Sequence, residues 1–152
     1  MTYKTEQEKL WASDFNQGYI DRNNSERKLQ NKIVIWTKML RASYGIKSVR
    51  EYGCGQGLNL VALKTLLPNL ILSGYEINEK AAKKASDRKI AEITQRSILE
   101  KINDNKVDLT FTYGVLIHIN PNHLESVYAN LVNGSNRYVL VAEYYNPTPT
   151  KV

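Results

Sequence analysis

The segment REYGCGQGLN, residues 50–59, places Gly53, Gly55 and Gly57 within five positions. It follows the run KSVREY and leads straight into LNLVALKTLLP. Glycine loses more conformational freedom on folding than any other residue. Three in five positions therefore mark a backbone that must turn with φ > 0 or approach something closely. KSVREY reads as a strand, and the following apolar segment as a helix closed by Pro68. A glycine-rich turn from strand to helix is where an open parallel sheet presents its backbone to a ligand.

The remaining rhythm agrees. LILSGYE is a second strand, and Asn78 caps the charged helix EKAAKKASDRK. AEITQRS and VDLTFTY are the third and fourth strands. Asn120 and Pro121 open a helix carrying Leu124, Val127, Tyr128 and Leu131, which Gly134 stops. RYVLVAEYY is a fifth strand. Strands alternating with helices predict an α/β, Rossmann-like doubly wound parallel sheet covered on both faces, in strand order 3-2-1-4-5. Upstream, TEQEKLWASDFNQGY, residues 5–19, predicts a helix with Trp11, Phe15 and Tyr19 on one face. Ser25 is placed to cap a second helix bearing Leu29, Ile33, Trp36 and Leu40, with Gly45 as its stop. The expected division is a helical cover over residues 1–45 and a ligand-binding core over residues 46–152.

Composition narrows the class. The 152 residues are 42% hydrophobic and 24% charged, as in ordinary globular chains. No apolar run approaches the ~20 residues of a membrane-spanning helix. The polar start MTYKTEQEKLW is not a leader peptide, and the single Cys54 permits no internal disulfide, so a cytoplasmic location is expected. The net charge of +6 allows nucleic-acid binding without favouring it. The densest basic set, Lys80, Lys83, Lys84, Arg88 and Lys89, reads as a solvated face rather than a phosphate site.

A second residue gives the glycines their meaning. Glu76 ends the second strand, placed to accept hydrogen bonds from a ribose diol. The loop spacing is G-x-G-x-G rather than the G-x-G-x-x-G of dinucleotide sites, and Glu51 precedes it. A carboxylate there would repel a pyrophosphate and suit a ligand carrying an ammonium and a sulfonium. EYGCGQG thus resembles motif I of class I S-adenosylmethionine-dependent methyltransferases. The resemblance implies S-adenosylmethionine as cofactor, with the methionine part at Glu51, Gly53, Cys54, Gly55 and Gly57 and the ribose at Glu76 beside Ile77. In that family the adenine position follows strand three, often with an aspartate; here Ser97 and Ile98 stand in. VDLTFTYGVLIHI resembles the fourth motif and would set Tyr113 and Gly114 beside the reacting methyl.

A longer resemblance covers nearly the whole chain. EQEKLWASDFNQGYIDRN, YGVLIHINPNHLESVY and NRYVLVAEYYNPTP are similar to methylases associated with pseudaminic acid biosynthesis. It implies a small-molecule acceptor such as a nucleotide sugar or surface-sugar precursor. It also implies a segment beyond strand five that this chain lacks, so the last two strands of the usual fold are expected to be missing. Strand five would then be an open edge. A fragment or naturally short chain is the preferred reading of this, and a homodimer through strand five the other. His118 has the pKa of a general base, although a histidine after an apolar run is more often a packed residue. Tyr113 either lines the methyl channel or caps the strand. Trp11, Tyr19, Arg22 and Asn23 either close over the cofactor or, for the aromatics, join the core. Three rivals remain at this point. A nucleic-acid methyltransferase lacks its N/D-P-P-Y/F-type stretch after strand four; a non-catalytic binding module and a nicotinamide enzyme are the others.

Overall fold

The computed structural model describes residues 3–13 and 26–144. Its elements in chain order are α1 (Glu6–Ala12), α2 (Glu26–Met39), β1 (Ser48–Tyr52), α3 (Leu58–Leu66), β2 (Ile71–Glu76), α4 (Glu79–Ser86), β3 (Glu92–Gln95), β4 (Val107–Tyr113), α5 (Leu124–Asn133) and β5 (Ser135–Ala142). Short 3-10 turns occupy Leu40–Ala42, Leu116–His118 and Pro121–His123. The five strands form one sheet in the order β3-β2-β1-β4-β5, and every neighbouring pair is parallel. The fold class and strand order therefore match the sequence reading.

The sheet is buried on two faces by two clusters. One joins Trp36, Val49, Leu60, Leu63, Leu72, Leu109 and Phe111 beneath α2 and α3, with Trp36 edge-on to Phe111 at 4.7 Å. The other joins Tyr52, Tyr75, Ile98, Leu99, Leu116, Val127 and Leu131 beneath α5, with Tyr52 edge-on to Tyr75 at 5.1 Å. Side chains alternate along a strand. Glu51 therefore shares the α2 face with Val49, Glu76 shares it with Leu72, and Tyr113 shares it with Leu109 and Phe111. One face of the sheet thus delivers three polar residues to its carboxyl edge.

Several elements differ in extent from the expectation. The first helix stops at Ala12 rather than reaching residue 19. Ser13 turns to extended backbone (φ −83°, ψ 167°), and both its N–H and its hydroxyl are bonded to the Leu10 carbonyl. Phe15, Tyr19, Arg22, Asn23 and Ser25 lie outside the described residues. The helix after strand four begins as a 3-10 turn with Pro121 in its first turn, and the Asn120 side chain accepts from the Asn122 N–H. The charged helix ends at Ser86, before Arg88 and Lys89. Lys83 is exposed and paired with Asp87, as a solvated face requires, but Arg88 folds back and donates to the Gln56 carbonyl at 2.8 Å. Arg88 therefore braces the glycine loop.

Candidate functional site

Strands β1, β2 and β4 end together at a cavity of about 390 Å³, within the range of small-molecule sites. The glycine loop forms its floor. Gly53, Gly55 and Gly57 all have positive φ, at 80°, 53° and 76°. At Gly53 a Cβ would lie 2.7 Å from a Val115 methyl, so the loop could not close against the β4 end with any other residue. At Gly55 nothing lies within 4 Å of a Cβ. That side of the loop opens onto the cavity, and glycine there serves conformation and close approach to a ligand. Gly57 caps α3 and packs on Ala85. The Cys54 thiol is buried with its Sγ against Gly74, and burial, with the Glu51 and Glu76 charges, pushes its pKa well up. It acts as a small packing residue of the loop.

Two buried carboxylates stand on the same wall. Glu76 Oε2 accepts the Gly55 N–H at 2.7 Å, and Oε1 accepts the Asn78 N–H at 2.9 Å. Burial raises its pKa, and these backbone hydrogen bonds pull it back. Each oxygen retains accepting capacity toward the cavity. Glu51, 1% exposed, accepts the Asn59 amide at Oε1, at 2.6 Å. Its Oε2 is buried with no hydrogen-bond partner among the described residues. Buried polar atoms are almost always satisfied, so an orphaned carboxylate oxygen on a cavity wall marks a place for a donor. Burial pushes the Glu51 carboxyl up to about 8. The donor set therefore suits a ligand with a cationic group and vicinal hydroxyls.

The remaining predicted residues are gathered around the same space. Ile77, Ser97, Ile98, Tyr113, Gly114 and His118 all line it. Ser97 is committed: its hydroxyl donates to the Glu8 carboxylate and accepts the Leu99 N–H at 3.0 Å. Tyr113 ends β4, with its pKa raised by burial. The His118 ring packs against Trp11 with centroids 4.5 Å apart and the planes tilted by 53°. Burial lowers its pKa against the pull of Glu143, so it stands neutral with a free lone pair at neutral pH. Tyr19 and Arg22 lie outside the described residues.

Four residues that sequence reasoning missed complete the site. Glu8 of α1 is buried and bonded to Ser97 and to the Lys4 N–H. Lys32 and Asn59 meet at 2.8 Å beside Glu51. Glu143 accepts the N–H groups of Val115 and Leu116 at 3.0 and 3.1 Å and so holds the turn that carries His118. Two signals for these lay in the pattern. Asn59 is a polar residue inside an apolar helix, and Lys32 falls within the stripe of Leu29, Ile33 and Trp36. Glu8 carries a local signal only as the acid of a Thr5-x-x-Glu8 helix start; its bond to Ser97, and all the partners of Glu143, are distant in sequence.

Comparison with known proteins agrees with this fold. In overall structure the chain is similar to magnesium protoporphyrin IX methyltransferase from Synechocystis PCC 6803, solved with bound S-adenosylmethionine: TM-score 0.72, 13% identity, covering 93% of this chain and 77% of that one. It is similar to the sugar N-methyltransferase KedS8 from Streptoalloteichus: TM-score 0.72, 13% identity, covering 97% of this chain and 58% of that one. A third is the plantazolicin methyltransferase BpumL, in complex with a desmethyl analogue and SAH: TM-score 0.65, 21% identity, covering 88% and 55%. The chain thus spans little more than half the length of the last two. No curated protein matches it in sequence. The family model described as a methyltransferase domain matches residues 50–133, more than half of the chain, from within β1 to the end of α5. The chain belongs to this methyltransferase domain family, whose enzymes use S-adenosylmethionine.

Proposed function

We propose that this chain transfers a methyl group from S-adenosylmethionine to a small-molecule acceptor, a sugar derivative of the surface-sugar precursor kind. The observation that carries the donor assignment is the pair of buried carboxylates, Glu51 and Glu76, on one cavity wall above the open side of Gly55. The residues fit the donor: Glu51 and the loop from Gly53 to Gly57 would hold its methionine part and Glu76 its ribose hydroxyls. Ile77, Ser97 and Ile98 would flank the adenine. When bound, the donor supplies a methyl carbon on a sulfonium, open to in-line displacement by an oxygen or nitrogen lone pair. Tyr113 lines the path to it, and His118, neutral at neutral pH, takes the proton the acceptor loses. The buried free thiol of Cys54 suits a reducing, cytoplasmic setting.

Support for the acceptor class comes from the segment resemblance to surface-sugar methylases and from a cavity of small-molecule size. The test is transfer of labelled methyl from S-adenosylmethionine to a panel of nucleotide sugars, with RNA and DNA as separate arms. Label in a sugar arm is expected, lost in Tyr113→Ala and reduced about 100-fold or more in His118→Ala. Label in a nucleic-acid arm alone would overturn the acceptor class.

A further inference from the structure

Lys32 has no part in the chemistry above, yet its surroundings are unusual for a lysine. It lies on α2 one turn before Trp36, where most lysines would extend into water. Here its Nζ donates to Asn59 Oδ1 at 2.8 Å and sits 4.1 Å from the centre of the Tyr113 ring. An ammonium has three N–H groups. Asn59 takes one and the ring face covers a second direction, while the side chain forms part of the cavity wall. Among the described residues it makes no ion pair. Burial pushes its pKa down, against the pull of the Glu51 charge.

Asn59 explains why the lysine and the glutamate stand side by side without pairing. Its Nδ2 donates to Glu51 Oε1 at 2.6 Å, and its Oδ1 accepts from both Lys32 Nζ and Trp36 Nε1, the latter at 3.3 Å. Trp36 is fully buried and can only donate, so it fixes which way the amide faces. The amide is a spacer that keeps acid and base apart on one wall. What results, among the described residues, is an acceptor oxygen, Glu51 Oε2, without a donor, and an ammonium without a salt-bridge partner. These two deficits are complementary to an α-ammonium and an α-carboxylate carried on one carbon.

We propose that Lys32 and Glu51, spaced by Asn59, form a receptor for the α-amino-acid end of the ligand, with Lys32 taking the carboxylate and Glu51 the ammonium. The proposal rests on the donor assignment above, since S-adenosylmethionine carries that end. It brings α2, which the glycine motif does not include, into the binding site, and it accounts for a half-buried lysine that the sheet does not need.

The test is calorimetric titration with two probes. S-adenosylhomocysteine has the amino-acid end; 5′-methylthioadenosine keeps the adenosine and lacks it. The unaltered chain is expected to favour the first. Lys32→Met should weaken S-adenosylhomocysteine about 10- to 100-fold, as loss of a charge-assisted hydrogen bond implies, and leave 5′-methylthioadenosine unchanged. Retained binding of the second probe also shows that the variant folds. Lys32→Arg should recover most of the loss. Equal weakening of both probes, or of neither, would overturn the receptor while leaving the donor assignment intact. An unaltered chain that binds neither probe would overturn both.

Discussion

Glu51 shows how much one side chain can carry. Burial pushes its carboxyl up to about 8, whereas an unfolded glutamate titrates near 4.3. Between those values the folded, ligand-free chain keeps a proton that the unfolded chain has lost, and an ammonium bound at Oε2 would draw that proton off. Stability from this residue therefore declines as pH rises from about 4.3 to 8, and the penalty is complete above 8. Glu51→Gln keeps the shape and removes the charge. Its melting temperature should gain on the parent between pH 5 and pH 8.5, by a few degrees or more; thermal scans at the two values check this. An offset independent of pH would show that Glu51 is not held protonated. The sequence revealed Glu51 and Glu76 because loop spacing and strand ends are local signals. It did not reveal Asn59 as the spacer, since that role depends on α2 lying over α3. Nor did Ser97 declare its partner, because Glu8 lies 89 residues away in sequence.

At the scale of elements, the sheet strands were legible and the N-terminal helix was not. Alternating apolar strands and capped helices encode their own limits, and β4 matches its predicted extent at both ends. The helix at residues 5–19 follows the spacing of Trp11, Phe15 and Tyr19, but tertiary contacts end it sooner. Asn78 donates to the carbonyls of both Trp11 and Ser13 at 3.1 Å, so the chain gives its carbonyls to the α4 cap instead of a further helical turn. Lys4 Nζ bonds the Leu99 carbonyl at 2.8 Å, and Glu8 joins Ser97. Three contacts thus latch α1 over one end of the cavity. Glu8→Ala should release it, at about 1–3 kcal/mol for a buried partner left unsatisfied. Hydrogen exchange should then speed up in residues 6–12 and stay unchanged in β1 and β4. Unchanged protection of α1 would mean that the latch does not depend on Glu8.

At the scale of the molecule, β5 is the end of the described sheet, and beyond Arg137 its exposed residues are apolar. Val139 and Val141 are about half exposed, and Val132 and Tyr128 of α5 lie exposed as well. Charged residues commonly blunt such an edge; here none occurs between Arg137 and Glu143. Pairing of two copies through β5, the alternative to a fragment of a longer chain, predicts a mass that rises with concentration in light scattering and a monomer in Val139→Lys with Val141→Lys. A monomer at all concentrations would argue that the edge is inert. The account as a whole depends on the cavity at the ends of β1, β2 and β4 being the donor site. Two-dimensional ¹⁵N NMR during titration with S-adenosylhomocysteine tests this most directly. The prediction is saturable shifts at Gly53, Gly55, Gly57, Ile77, Ser97 and Gly114, abolished or weakened about 10- to 100-fold in Glu76→Ala. Shifts confined to another surface, or shifts at these amides that persist undiminished in Glu76→Ala, would contradict it.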